Sequence, residues 1–180
     1  MNTQTKTAPT QDNAQLAQGR EIENRIRDTI YQATLFLDQE KWNDWLALCD
    51  EDFIYQIKAF SPEINYDSIY MHESRDELIK LMDMLPKHNT DESPLSRFTN
   101  VYTVDVAADG ATATATSAFV VYRHIFDSAV DSHIEAGSTE LYLVGKYHDE
   151  FRITNGQPRF VARTTRLETR RMDRGSHWPI

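Results

Sequence analysis

The sequence predicts an α+β protein, in which helices near the N-terminus cover one face of a long, mostly antiparallel sheet. Apolar residues recur at helical spacing in the first part of the chain, and they alternate with polar residues over long segments after residue 95. The pair Asn155-Gly156 joins two of these segments and can supply the two positive-φ positions of a tight hairpin turn. Because sheets twist, helices packed on the concave face would give a cone-shaped half-barrel.

The composition fits one folded domain and argues against several classes of partner. The chain has 180 residues, of which 40% are hydrophobic, and a formal net charge of −9. Binding to phosphates requires a basic face, so we expect neither nucleic acid nor an anionic membrane as a partner. No apolar segment approaches the ~20 residues that cross a bilayer. The single cysteine, Cys49, fits a reducing compartment, and we expect a cytoplasmic protein.

The N-terminal part of the chain divides into a polar tail and a helix. Residues 1–19 have little apolar surface to bury, so we expect a disordered tail or one that a partner orders. From about Arg20 to Asp38, apolar residues recur every three or four positions. This stripe predicts a long amphipathic helix, and residues 20–180 are predicted to form a single domain.

Two shorter helices are predicted before residue 87. The first runs from about Lys41 to Cys49 and carries two tryptophans, which we interpret as core residues. The second begins after Ser74, a favourable N-cap, and Glu77 lies three residues later to complete a capping box. Pro86 is predicted to end this helix, because proline cannot donate the backbone hydrogen bond that continues it.

The remaining segments show the two-residue alternation of β-strands. Strands are predicted over about residues 53–60, 66–72, 95–107, 111–126, 140–154 and 157–169. In the fifth strand Leu141, Leu143 and Tyr147 share one face, whereas Tyr142 and Val144 lie on the other. Helices can cover only one face of the sheet, so we expect the other face to be an oligomer interface.

Several short segments are distinctive in their order and spacing. They are Phe53-Ile-Tyr, Arg97-Phe-Thr-Asn-Val, Asp109-Gly, Tyr147-His-Asp and Phe160-Val-Ala-Arg163. Together they resemble the small (β) subunit of Rieske non-haem iron ring-hydroxylating oxygenases, and the resemblance covers about residue 21 to the C-terminus. It implies the cone-shaped α+β barrel of nuclear transport factor 2 and scytalone dehydratase, a fold also called cystatin-like.

The resemblance implies a structural chain without chemistry of its own. In such oxygenases the large α subunit carries the Rieske [2Fe-2S] cluster and the mononuclear Fe(II). The β subunit trimerises and supports an assembly of three αβ pairs, which receives electrons from a ferredoxin or reductase. The substrate implied is an aromatic compound or a small acidic one, with a sulfonate as our preference.

The residues themselves offer little for a metal. A Rieske cluster needs paired cysteine and histidine ligands, so a chain with Cys49 alone cannot hold one. The set His124, Asp127, Asp131 and His133 could bind a metal ion at the end of a strand. We interpret it as a solvated loop and predict no metal site.

An acid–base site is the alternative reading. A carboxylate and a histidine inside a cone would have shifted pKa values and could isomerise or dehydrate a small substrate. Asp52, His72 and His148 are the candidate catalytic residues, with Tyr55 and Tyr102 as possible neighbours. A third alternative is a protein-binding module without enzymatic activity.

Arginines are concentrated in the last strand and the C-terminal tail of this acidic protein. A buried arginine needs a carboxylate partner, and the candidates for these arginines are Glu140, Asp149, Glu150 and Glu168. Strict alternation would place Phe160 on the face of Arg166. Pairing within the sheet and pairing across a subunit interface both remain open. The predicted interface residues are Tyr142, Val144, Arg163, Arg166, Arg170 and Trp178.

The sequence ends with an apolar segment. Pro179 and Ile180 follow Trp178, in a tail that is otherwise rich in arginine. Such an end either docks on the domain or frays in solvent, and the sequence leaves both outcomes open.

Overall fold

The predicted α+β architecture is confirmed in a computed structural model, which describes residues 11–88, 93–126, 137–170, 172 and 179–180. Three helices pack on a single six-stranded sheet. Residues 89–92 and 127–136, and residues 1–10 of the predicted tail, lie outside the described residues. Among the described helices, none is both long and apolar enough to span a bilayer.

The helices agree with the predicted ones in position but differ at three ends. The second helix stops at Ala47, and Cys49, predicted as its end, already lies in a strand. They are α1 (Gln11–Asp38), α2 (Trp42–Ala47) and α3 (Arg75–His88). Helix α1 begins before the predicted start and takes in part of the predicted tail. Pro86 does not end α3, which continues to His88. A proline in the last turn removes only one backbone hydrogen bond, and the helix tolerates that loss.

The strands follow the predicted order. They are β1 (Cys49–Ser61), β2 (Tyr66–Ser74), β3 (Leu95–Val106), β4 (Thr112–Ile125), β5 (Ser138–Thr154) and β6 (Gln157–Leu167). Their order in the sheet is β2-β1-β6-β5-β4-β3, and only β1 and β6 pair in parallel. Strands β2 and β3 form the two edges, so the sheet is an open half-barrel rather than a closed barrel.

The β5–β6 turn confirms the hairpin predicted from Asn155-Gly156. Both residues have positive φ, 53° and 73°, as a tight two-residue turn requires. The Arg25 side chain of α1 donates a hydrogen bond from Nη1 to the Gly156 carbonyl oxygen at 2.9 Å. The long helix is therefore attached to one end of the sheet at this turn.

The core lies between the helices and the concave face of the sheet. Ile26, Ile30 and Ala33 of α1 are completely buried, as is Leu78 of α3. Trp45 of α2 meets the edges of Phe53 and Tyr55 at centroid distances of 5.9 and 6.0 Å. Edge-on aromatic contacts of this kind hold the short helix against β1.

A β-bulge changes the alternation of β6. Phe151 of β5 pairs with Phe160, and the preceding Glu150 pairs with Ala162, so Val161 is an extra residue. Phe160 and Arg163 therefore both face the interior and are each 1% exposed. The prediction that Phe160 shares a face with Arg166 was wrong, because a bulge reverses the alternation at that point.

Candidate functional site

The interior of the cone contains a buried ion pair. Arg163 of β6 donates from Nε and Nη2 to the two carboxylate oxygens of Asp149 on β5, at 2.8 and 2.9 Å. The two side chains are 1% and 0% exposed. The two residues face each other in the β5–β6 register, so the hairpin itself brings them together. Of the two open alternatives for Arg163, pairing within the sheet is the one observed.

Aromatic rings surround the Arg163 guanidinium. Its Cζ atom lies 4.3 Å from the centroid of Tyr147 and 4.6 Å from that of Phe160. Burial acts to lower the pKa of Arg163, but the Asp149 carboxylate outweighs it and raises that pKa above its ordinary value. The guanidinium is therefore permanently charged, and it serves as a fixed hydrogen-bond donor in an apolar surrounding.

Two buried tyrosines complete the interior. Burial raises the pKa of Tyr55 and of Tyr147 above their ordinary values, so both hydroxyls stay protonated at neutral pH. The Tyr55 hydroxyl accepts a hydrogen bond from Thr165 Oγ1 at 3.3 Å and contacts the backbone of Ile180. Neither tyrosine is suited to act as a general base, because neither ionises near pH 7.

Some buried polar atoms in the interior have no hydrogen-bond partner within the described part of the chain. They include Tyr147 Oη, Ser117 Oγ, Arg97 Nε and Arg163 Nη1. Groups of this kind are costly to bury unsatisfied, and they can bind a ligand or water. The largely apolar interior thus contains a few polar atoms that have no partner among the described residues, and most of them can donate a hydrogen bond.

The structure does not bring the three candidate catalytic residues together. Asp52 is exposed and lies within 3.4 Å of Arg152 on the surface. His72 is exposed on the edge strand β2, where it pairs with Gln56 at 3.1 Å. His148 is exposed on the outer face of β5. None of the three reaches the interior of the cone.

The two tyrosines predicted as neighbours of these residues do not lie together either. Tyr55 lies inside the cone, whereas Tyr102 is 55% exposed. Sequence reasoning proposed Asp149 only as one of four possible carboxylate partners for the arginines, and it did not identify Tyr147, Ser117 or Arg97 as interior polar residues. The alternation of β5 does contain this signal, because Tyr147 and Asp149 continue the inward face that starts at Leu143.

The structure describes one of the four candidate metal ligands, His124. His124 accepts or donates hydrogen bonds with Ser96 at 2.8 Å and Thr139 at 2.9 Å. Asp127, Asp131 and His133 lie outside the described residues. Where the structure describes the chain, no group of three potential metal ligands occurs.

Comparison with known proteins identifies the family. A SnoaL-like domain model matches residues 20–164. The β subunit of the methanesulfonate monooxygenase hydroxylase from Methylosulfonomonas methylovora is 58% identical, over 91% of this chain and 90% of its own length. The chain belongs to the SnoaL-like family and, within it, to the oxygenase β subunits. The resemblance inferred from the sequence is thereby confirmed.

More distant relatives of this oxygenase β subunit agree. The 2-aminobenzenesulfonate 2,3-dioxygenase β subunit of an Alcaligenes species is 28% identical over 86% of this chain and 97% of its own length. A solved β subunit of a candidate aromatic-ring-hydroxylating dioxygenase from Novosphingobium aromaticivorans superimposes with a TM-score of 0.68. It has 24% identity and covers 89% of this chain and 94% of its own. The fold is the cystatin-like one of proteins related to nuclear transport factor 2.

The outer face of this β subunit carries an apolar patch that extends across β3, β4 and β5. Phe98, Val120 and Val144 are successive neighbours across these strands. Tyr122 meets Phe98 edge-on at 5.8 Å, and Tyr142 lies beneath the Arg123 guanidinium at 5.2 Å. We call these five residues, Phe98, Val120, Tyr122, Tyr142 and Val144, the outer-face patch. Phe98 is 65% exposed.

The remaining predicted interface residues of the β subunit lie in three places. Arg163 is inside the cone, where it cannot reach another subunit. Arg166 and Arg170 are on the surface, with Arg166 3.6 Å from Asp67 and Arg170 paired with Glu63 at 2.5 Å. Trp178 lies outside the described residues. Of the predicted set, Tyr142 and Val144 therefore belong to an apolar surface.

Proposed function

We propose that this chain is the structural, non-catalytic β subunit of a sulfonate-hydroxylating oxygenase in the cytoplasm. The observation that carries the proposal is 58% identity over nine-tenths of the chain to the methanesulfonate monooxygenase hydroxylase β subunit. A second relative is named for another sulfonate. A small sulfonate is therefore the substrate class we assign to the complete enzyme.

In this proposal the reactive iron belongs to a partner α subunit. That chain holds the Rieske [2Fe-2S] cluster and the mononuclear Fe(II), and a ferredoxin or reductase supplies its electrons. Iron–sulfur ligation requires several cysteine thiolates. This chain has the single residue Cys49, and burial raises the pKa of its thiol to about 12. Cys49 is therefore a packing residue in the core rather than a ligand.

The proposed structural role uses the outer-face patch as the contact between copies of the β subunit. Three such copies, each carrying one α subunit, would form an α3β3 assembly. Leu141 pairs with Tyr122 of the patch and is 59% exposed, which adds to its apolar area. Exposed aromatic and aliphatic side chains grouped in this way are typical of protein interfaces.

Co-expression of this chain with a candidate α subunit tests the proposal. We expect a red-brown complex that contains iron and both chains and that hydroxylates methanesulfonate when electrons are supplied. The β subunit alone should be colourless and inactive with the same substrate. Isomerase or dehydratase turnover by the isolated β subunit would contradict the proposed role, as would failure of the two chains to co-purify.

A matched pair of variants tests the assembly surface. Val144→Glu places a charge in the outer-face patch, and Thr114→Glu places the same charge on the exposed part of β4 outside it. We expect Val144→Glu to convert the β trimer into monomers in native mass spectrometry, because burying a carboxylate is costly. Thr114→Glu should leave the trimer intact. Equal oligomer masses for both variants would assign the contact to another surface.

A further inference from the structure

The last two residues of the sequence lie inside the cone. Ile180 is 1% exposed, and Pro179 is also buried. The Tyr55 hydroxyl accepts a hydrogen bond from the Ile180 N–H at 2.7 Å and donates one to the Ile180 backbone oxygen at 2.9 Å. Arg97 Nη2 donates to the Pro179 carbonyl oxygen at 2.8 Å. Each polar backbone atom named here thus has a buried side-chain partner.

These partners are positioned by groups other than Pro179 and Ile180. The Arg97 side chain is held by Asp38, whose Oδ1 accepts from Nη1 at 2.7 Å. The two oxygens of Asp38 also accept from the Arg97 backbone N–H at 3.1 and 3.0 Å. Tyr55 is 0% exposed and is fixed by the edge of Trp45 and by Thr165. The receiving groups are therefore oriented in advance, as in a binding site.

The site has more hydrogen-bonding capacity than Pro179 and Ile180 use. Tyr147 Oη, Ser117 Oγ and Arg97 Nε are buried and lack a partner among the described residues. Arg97 and Arg163 both influence the ionisation of Tyr55 and of Tyr147, which places these four side chains in one electrostatic neighbourhood. Unused buried donors are a feature of sites that receive ligands.

The chemistry of the contacts defines the class of ligand. The bound fragment consists of the Pro179 carbonyl, the Ile180 N–H, a branched aliphatic side chain and the Ile180 backbone oxygen. These are the groups of a short peptide that carries a branched aliphatic residue after proline. Tyr55 forms hydrogen bonds with the Ile180 N–H and with the Ile180 backbone oxygen. Arg97 binds the Pro179 carbonyl oxygen, and apolar core residues surround the Ile180 side chain.

We propose that the interior of the cone is a binding site for short peptides that carry a branched aliphatic residue after proline, occupied here in cis by Pro179 and Ile180. The site does not depend on the oxygenase role proposed above, because all its residues belong to this chain. Occupancy by the chain itself keeps the interior closed to other molecules. A free ligand must compete with Pro179 and Ile180, whose effective concentration at the site is on the order of millimolar because they belong to the same chain. The site is therefore accessible only when these two residues are displaced.

The full-length variant Pro179→Gly/Ile180→Gly tests the proposal, with N-acetyl-prolyl-isoleucine as the probe. The variant should lose several degrees in Tm, since about 2–4 °C corresponds to each kcal/mol lost in a chain of this size. The probe at about 10 mM should restore part of that loss in the variant and leave the wild-type Tm unchanged. The probe containing D-isoleucine is the matched ligand control and should restore none.

A second substitution makes the result specific to the site. Adding Tyr55→Phe to the variant removes the hydroxyl that contacts Ile180, and we expect probe binding measured by calorimetry to weaken at least tenfold. Arg170→Ala, which breaks a surface ion pair with Glu63, serves as the protein control and should not create probe binding. An unchanged Tm in the double-glycine variant would overturn the proposal. So would probe binding that survives Tyr55→Phe or that accepts D-isoleucine equally.

Discussion

The ring of Phe119 on β4 occupies the space that a side chain at Gly145 on β5 would fill. A Cβ atom at residue 145 would lie 2.6 Å from Phe119 Cζ and even closer to the Arg166 carbonyl oxygen. In this position the Phe119 ring stacks on Tyr147, with ring centroids 4.3 Å apart. Gly145 thus permits the aromatic stack that forms one wall of the interior.

Replacing Gly145 with alanine should therefore destabilise the protein. Because one clash is with the backbone of β6, the strands would have to move, and we expect a loss of about 1–3 kcal/mol in the free energy of unfolding. Urea denaturation followed by circular dichroism measures this loss. Gly19→Ala is the control, because nothing lies within 4 Å of its Cβ position and it is in helix α1. That variant should gain up to about 1 kcal/mol.

A single substitution that breaks the buried Arg163–Asp149 pair should destabilise the protein more than a double substitution that removes both charges. Arg163→Met or Asp149→Leu alone leaves one charge buried without a partner, at an expected cost of about 3–5 kcal/mol. The double variant leaves no charge, so it should be less destabilised than either single variant. A double-mutant cycle in urea measures both effects. If the two single costs simply add in the double variant, the pair is not coupled.

An exposed ion pair provides the comparison. Arg170 and Glu63 are about half exposed, at 49% and 59% of their side chains. Arg170→Ala should cost less than about 1 kcal/mol, because water and salt screen surface charges. A cost similar to that of Arg163→Met would contradict the distinction between interior and surface pairs.

The fold was predictable because several local signals agree with it. Asn155-Gly156 fixes the longest hairpin, and the alternation along β5 correctly places Leu143 and Tyr147 on one face. Leu141, predicted on the same face, is 59% exposed because a bulge intervenes. The capping box at Ser74 locates the start of α3. Each of these signals depends on residues close together in the sequence, so none requires knowledge of the sheet order.

The interior site was less predictable, because it depends on irregularities that the sequence does not display. Val161 forms a bulge that turns Phe160 and Arg163 to the same side, against simple alternation. Docking of Ile180 on Tyr55 joins residues 125 positions apart. No local pattern encodes either feature, whereas the solvent-facing His72 and His148 look like site residues because of their chemistry alone.

Cys49 should make the protein less stable at alkaline pH. Burial raises the pKa of its thiol from 9.0 to about 12, while Arg163 and Arg75 lower it to a smaller extent. Between these values the folded state keeps a proton that the unfolded state has lost. The stabilisation is therefore complete below pH 9 and is lost as the pH rises towards 12.

A variant isolates this contribution from that of the tyrosines. Cys49→Ala has no thiol to ionise, so its urea midpoint should decline less than that of the wild type between pH 9 and pH 11. The folded wild type should also react very slowly with a disulfide reagent at pH 8, and it should react fully in urea. Parallel declines in both proteins, or rapid labelling of the folded chain, would show that Cys49 is not shielded.

The capping box at the start of α3 should contribute measurably to stability and should respond to acid. Ser74 donates from its backbone N–H to Glu77 Oε2 at 2.8 Å and from its hydroxyl to the same oxygen at 2.7 Å. The Glu77 N–H in turn donates to Ser74 Oγ at 3.4 Å. Ser74→Ala removes both hydroxyl contacts, and we expect it to cost about 1 kcal/mol in the free energy of unfolding.

The pH dependence distinguishes the capping box from a simple packing defect. The backbone hydrogen bond from Ser74, followed by its hydroxyl, lowers the pKa of Glu77 below 4.5. A lowered pKa gives stability that is present above pH 4.5 and is lost as the pH falls through the folded-state value. The difference between wild type and Ser74→Ala, measured by urea denaturation, should therefore shrink below pH 4.5. A difference that stays constant down to pH 3 would assign the effect of the substitution to something other than the Glu77 carboxylate.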